Sequence, residues 1–305
     1  MQADLHQHLL GEPLLEALSS RTVPPLTRRE GPAWVLEVPG EPPHSVDPAA
    51  EDPARRAALL EADGLDRAAV ALSCLLGVEG LPGDEAEHLL AAHEEGLAGL
   101  PERFGRWASV SLLEPSPAAV EAQLRAGAVG LTLPAGALST PARVESLAPL
   151  LEPLAHCDRP LFVHPGPCPW EDPPARADGE GWWPALTRYV AEMNAVWHAF
   201  VNVGPEPLPS APVVFALLAG LAPLHLERLA VRGGPSERAL DPRFLYEVSS
   251  YGPRSIEAVG RVVGAGRLVF GSDRPVDSPA PPAASPWTRL AARNAAALLA
   301  SRAPR

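Results

Sequence analysis

Short apolar runs alternate with stretches of helical periodicity along nearly the whole chain. The runs predict strands at Gln2–His8, Ala68–Cys74, Arg106–Leu113, Ala128–Leu133, Pro160–His164, Pro212–Leu217, Phe244–Ser249 and Leu268–Phe270. AAVALSCLL and RLVFGS are apolar at consecutive rather than alternate positions, as expected of strands covered on both faces. Prolines mark the helix starts. Asp52-Pro53, Ser116-Pro117, Thr140-Pro141 and Ser285-Pro286 each set a capping side chain before a proline at the first helical position. Gly64 and Gly127 stand where C-terminal caps are wanted.

Eight strand–helix units in 305 residues predict an α/β fold, a (β/α)8 TIM barrel. It would form a single domain over 1–305, ending in a C-terminal helix at 286–303. A doubly wound sheet is the alternative, but no GxGxxG joins the first strand to its helix. Residues 22–50 break the alternation. This stretch is proline-rich with one apolar run, AWVLEV, and reads as an insertion after the first strand–helix unit. A small hairpin over the barrel mouth and a structureless surface loop are both compatible with it.

Composition narrows the chemistry. All 25 basic residues are arginine, so a pyridoxal Schiff base, a lysine nucleophile and a phosphate-loop lysine are excluded. So is a metal pair bridged by a carboxylated lysine. A net charge of −12 offers no basic face for nucleic acid or an anionic membrane. Cys74, Cys157 and Cys168 form no CxxC pair and read as apolar thiols in a reducing compartment, with Cys168 a candidate pocket-lining residue. MQADLHQHLL has neither the basic start nor the apolar stretch of a signal peptide, and the apolar run Ala211–Leu224 is too short to span a bilayer. A cytoplasmic setting is the expectation.

His6 and His8 lie two apart on the first predicted strand, so both imidazoles project to one side. His164 ends RPLFVHPG, where a strand gives way to a Pro-Gly turn, and Asp273 follows the eighth strand in LVFGSDRP. Each has an ordinary reading alone: a hydrogen-bonded histidine pair, a structural strand-end histidine, a turn-capping aspartate paired with Arg274. Barrel closure brings them together, because strand eight returns beside strand one and strand five faces both across a narrow interior. All four then sit at the C-terminal rim, where barrel enzymes carry their chemistry. Three imidazoles and a carboxylate suit one divalent transition metal ion, Zn2+ first among them, with room for a water whose pKa the ion lowers.

DLHQH, FVHPG and FGSDRP, in that order and spacing, resemble the amidohydrolase superfamily, and in particular its branch containing aminocarboxymuconate semialdehyde decarboxylase. The resemblance extends to the final helix, RNAAALL. It implies one zinc held by His6, His8, His164 and Asp273. The two-metal branches generally bridge their ions with a carboxylated strand-four lysine; the matching strand here, VGLTLP, has no ligand. The chain departs from the pattern at strand six, where the family carries a histidine in H-x-G-G that orients or deprotonates the metal-bound water. Here Leu217 stands in that place, followed by Leu218, Ala219 and Gly220.

Other residues are candidates for the missing role. His225 lies eight positions later, although a surface histidine beside Glu227 and Arg228 is the plainer reading. Asp273 itself is a candidate proton carrier. Glu247 ends strand seven, facing either the substrate or the helix layer. Trp170 is a candidate substrate wall, Trp182 and Trp183 read as anchors of the next helix, and His198 reads as packed between helix and barrel. His44, His88, His93 and His156 fall away from strand ends and receive no role.

The leading expectation is a mononuclear metal-dependent hydrolase of a small carboxylate, lactone, ester or amide. The alternative is a non-oxidative decarboxylase of an aromatic or muconate-type acid, with Arg274 on the substrate carboxylate. Leu217 supports a third reading, a degenerate barrel that binds metal or ligand without turnover. The resemblance implies a homodimer.

Overall fold

The structure is a computed structural model and describes residues 1–172, 181–205 and 208–300. Eleven strands lie among them: β1 (Ala3–Gln7), β2 (Leu26–Glu30), β3 (Ala33–Glu37), β4 (His44–Val46), β5 (Arg67–Val70), β6 (Phe104–Arg106), β7 (Leu131–Pro134), β8 (Leu161–His164), β9 (Val213–Phe215), β10 (Phe244–Glu247) and β11 (Leu268–Val269). Two parallel sheets, β1-β5-β6 and β7-β8-β9-β10-β11, make most of the barrel. Single bridges join their edges, Ala108 with Leu131 and Gln7 with Arg274. Leu5 N–H donates to Phe270 C=O at 2.9 Å and Asp273 N–H to His6 C=O at 2.8 Å across the second seam. The eight strands therefore close in chain order into a (β/α)8 barrel.

The helix starts are those the prolines predict. Asp52 accepts from Arg55 N–H at 2.8 Å, Ser116 from Ala119 N–H at 3.3 Å and Thr140 from Arg143 N–H at 3.3 Å. The last helix runs Pro286–Ala300, and 301–303 lie outside the described residues. Inside the barrel, Trp107 and Phe162 pack with their rings tilted by 33° at 5.1 Å between centroids, and Trp107 donates its indole N–H to Leu5 C=O at 2.8 Å. No described helix is long and apolar enough to cross a membrane.

Two expectations change. The predicted strand Arg106–Leu113 overlaps the observed β6 only at Arg106. Beyond Ala108 the chain stays buried at Val110 and Leu112 but leaves the sheet, with Leu112 N–H on Glu79 C=O at 2.8 Å. Consecutive apolar residues report burial on both sides, not strand pairing.

The insertion is neither a two-stranded hairpin nor a structureless loop. It is an antiparallel meander, β2-β3-β4, with Leu26 opposite Glu37 and Trp34 opposite Val46. Trp34, Leu36, Val38 and Val46 pack on Leu14, Leu15 and Leu18 of the helix Glu12–Ser19 in a second, smaller core. Its rim is tied to the far side of the mouth, where Glu41 pairs with Arg188 and accepts from Tyr189 Oη at 2.7 Å.

Candidate metal centre

His6 projects inward from β1, His8 follows just past its end, His164 is the last residue of β8, and Asp273 sits in the turn after β11. Asp273 has a φ of 55°, a left-handed conformation that aspartate tolerates better than most residues. His8 Nε2 lies 3.0 Å from His6 Nε2 and 3.2 Å from His164 Nε2. Asp273 Oδ1 is 3.2 Å from the Nε2 of both His6 and His8. The four donor atoms all fall within 4.8 Å of one another.

The other ring nitrogens explain what this cluster holds. His6 Nδ1 faces Glu247 Oε2 at 3.2 Å, His8 Nδ1 faces Ala71 C=O at 2.9 Å, and His164 Nδ1 faces Pro165 C=O at 2.7 Å. Carbonyl and carboxylate oxygens only accept, so each Nδ1 carries the proton and each Nε2 turns a lone pair inward. Three lone pairs and a carboxylate oxygen meeting in a buried space repel one another unless a cation lies between them. Four ligands about 2.0–2.1 Å from a zinc ion stand roughly 3.3 Å apart, close to the separations seen. The donor set fits one divalent ion.

Burial opposes charge on His6, but Asp273 and Glu247 outweigh it and raise its pKa to about 9. Burial together with His8 and His6 holds His164 well below the ordinary histidine range. Burial raises the Asp273 carboxyl, but the three imidazoles outweigh it and hold the group at about 2.

Several residues hold the ligands in place. Glu247, fully buried, takes Ser249 Oγ at 2.8 Å and Leu217 N–H at 3.4 Å besides His6. It therefore grips His6 from behind. Asp4, also fully buried, accepts from His6 N–H and Ser272 N–H, both at 3.0 Å, and pins the two ligand-bearing segments together. Arg56 donates to His8 C=O and, at 2.9 Å, to Arg274 C=O. Sequence reasoning missed Asp4 and Arg56. Asp4 lies within the DLHQH motif, whereas Arg56 is a buried residue of the helix Pro53–Ala62 with no such signal.

Gly271 is the tightest point of the site. A Cβ there would lie 2.3 Å from Glu247 Oε1 and 2.5 Å from His6 Cβ. Gly271→Ala is therefore expected to destabilise the fold by about 1–3 kcal/mol and to weaken metal retention by displacing His6. Thermal melts with metal analysis test this, and a variant that keeps both properties would remove Gly271 from the account.

The remaining predicted residues lie apart from the cluster. Arg274 directs its guanidinium to Asp63 at 2.7 Å, the residue that caps the C-terminus of the helix Pro53–Ala62. His225 is exposed at the end of a 3-10 turn, Ala222–His225. Trp170 is 45% exposed at the mouth. Trp182 and Trp183 are exposed against each other at 5.6 Å, and 173–180 of their loop lie outside the described residues. His198 donates to Asn194 C=O within its own helix and meets Trp197 edge-on, as a packed helical histidine should.

No protein-family model matches the sequence, and no curated protein matches it. Solved structures match over nearly the whole chain. The apo form of IDCase from Metarhizium anisopliae is 18% identical, with 98% of this chain and 97% of that one covered, at a TM-score of 0.72. The 5-carboxyvanillate decarboxylase LigW from Sphingomonas paucimobilis is 16% identical, covers 98% of each chain and has a TM-score of 0.67. A dihydroxybenzoic acid decarboxylase from Polaromonas sp. JS666, solved with manganese and the inhibitor 2-nitroresorcinol, is 16% identical over 98% and 96%, at a TM-score of 0.65. At these identities the likeness shows the fold. It is the barrel that the amidohydrolase resemblance implies.

Proposed function

We propose that the protein is a metal-dependent, non-oxidative decarboxylase of a small aromatic or muconate-type acid. The observation that carries this reading is the His6, His8, His164 and Asp273 cluster in a barrel whose solved likenesses include decarboxylases of aromatic acids, while Leu217 weakens the water chemistry that hydrolysis requires. Hydrolysis needs a water nucleophile and a second group to take its proton. Direct decarboxylation of an aromatic acid needs neither. Solved structures similar to this chain include decarboxylases of such acids.

An ion held by His6, His8, His164 and Asp273 would supply Lewis-acid stabilisation of the negative charge that builds as carbon dioxide departs. The bond from ring carbon to carboxylate breaks, its electron pair stays on the carbon, and that carbon takes a proton. Asp273, a carboxylate at rest, is the group we assign to relay this proton from solvent water as charge builds on the ring: its side chain is 14% exposed, against 1% for His6 and 5% for His8. The nitrogen-rich donor set puts zinc before manganese, which favours harder oxygen ligands. With Arg274 held on Asp63, we leave the substrate carboxylate to the metal end of the site. The homodimer implied by the resemblance is tested by sedimentation.

Metal-loaded protein given a panel of hydroxylated benzoates is expected to release one carbon dioxide per substrate consumed. Asp273→Asn should lower kcat by roughly 10²–10⁴. Turnover of esters or lactones with no carbon dioxide from any acid would restore the hydrolase reading. No turnover of either class would leave a binding barrel.

A further inference from the structure

A cavity of about 170 Å³ lies against the turn that carries His164, with none of the four metal ligands in its wall. Pro134, the register partner of His164, and Pro167, three residues beyond it, form part of its floor. Six of its lining residues are prolines: Pro24, Pro25, Pro39, Pro134, Pro167 and Pro169. Pro24, Pro25 and Pro39 flank strands of the meander, so the insertion supplies one wall.

This wall is rich in acceptors and poor in donors. Proline has no N–H. Gly77, Gly80, Leu81 and Glu171 also line the cavity, and their N–H groups are used in turns, on Cys74, Gly77, Val78 and Cys168 carbonyls. Neither lysine nor arginine lines it, and the Glu171 carboxylate is held by Arg143.

Glu79 is different. It is 1% exposed, and neither carboxyl oxygen has a hydrogen-bond partner of normal geometry. Its own N–H and the Cys74 thiol lie close enough to act on it, and that thiol faces Thr132 Oγ1 at 3.7 Å. Buried carboxyls ordinarily find a donor. Burial pushes this one up to about 7.

We infer that the cavity binds a single-ring, non-anionic compound that gives an N–H or O–H donor to Glu79, and that Glu79 sets the specificity of this site. The size fits: an apolar cavity of about 150 Å³ takes a benzene ring. At pH 8, with Glu79 ionised, the acidic, donor-poor wall excludes a carboxylate. This inference goes beyond the decarboxylase reading and stands or falls without it, because its test is binding and not turnover.

The test is ligand-observed NMR titration of the full chain at pH 8, with and without metal, using aniline, phenol, toluene and benzoate. Aniline and phenol are expected to bind saturably and benzoate not to bind. Glu79→Leu should weaken aniline at least tenfold while leaving toluene within about twofold. Cys168→Phe, which fills the cavity from another side, should abolish aniline binding while Glu79 remains. Benzoate binding as tightly as aniline would overturn the proposal, and so would full aniline affinity in Glu79→Leu or in Cys168→Phe. If Glu79→Leu does not fold, the aniline–benzoate comparison and Cys168→Phe still decide.

Discussion

Protein purified without chelators is expected to carry about one equivalent of a divalent transition metal, and a His6→Ala/His8→Ala variant none. The expectation follows from the convergence of three Nε2 lone pairs and Asp273 Oδ1 at 3.0–3.2 Å. An ion that binds the folded state alone, at a free concentration one hundred times its Kd, stabilises that state by about 2.7 kcal/mol. A chelator should therefore lower the Tm of the wild-type protein and leave that of the variant where it is. Catalysis should vanish in both. Elemental analysis with paired thermal melts reads all of this. A wild-type protein that holds no metal, takes none up and ignores the chelator would overturn the metal centre and the proposed reaction with it.

Glu79→Gln is expected to stabilise the protein at pH 8 and to leave it unchanged near pH 4. Burial raises the Glu79 carboxyl from 4.5 to about 7, so the folded state binds this proton more tightly than the unfolded state. Stability linked to it is fully present below pH 4.5, falls as pH rises toward about 7, and levels off above. The shift corresponds to about 3 kcal/mol at most, at roughly 1.4 kcal/mol per pH unit. Glutamine is neutral throughout and removes the slope. Urea titrations at pH 4 and pH 8 give the comparison. An equal difference at both values would mean that packing, and not charge, separates the two side chains. A donor ligand in the adjoining cavity should shrink the difference at pH 8.

The barrel and the meeting of His6, His8, His164 and Asp273 at its rim were legible because both rest on strong local signals. Two-sided apolar runs mark buried parallel strands, and a period of two places His6 and His8 on one side. Closure of the ring then brings Asp273 to them without any local motif linking the two. Orientation behind the rim was not legible. Glu247 ends its strand as expected but turns its carboxylate to the back of His6, and Arg274 leaves the rim for Asp63. Both depend on partners more than 200 residues away in sequence, which no local pattern encodes. The meander had only AWVLEV to announce three strands, because β2 and β4 are polar on their exposed positions. Glu79 had no motif at all; its character comes from burial beside prolines drawn from three separate loops and the end of β7.

The segment that replaces the missing histidine carries its own signature. Leu217, Leu218, Ala219 and Leu221 all adopt positive φ, between 50° and 61°, in one continuous left-handed turn with Gly220. Side chains with a Cβ resist this conformation by about 1–2 kcal/mol each. The turn begins at Leu217, whose N–H meets Glu247, the same carboxylate that grips His6. Glycine at Leu218 or Ala219 would release part of that strain and also slacken the hold on Glu247. Global stability and the rigidity of a metal ligand are thus opposed at this turn: variants selected only for resistance to heat would drift toward glycine here and surrender the fixed geometry of His6.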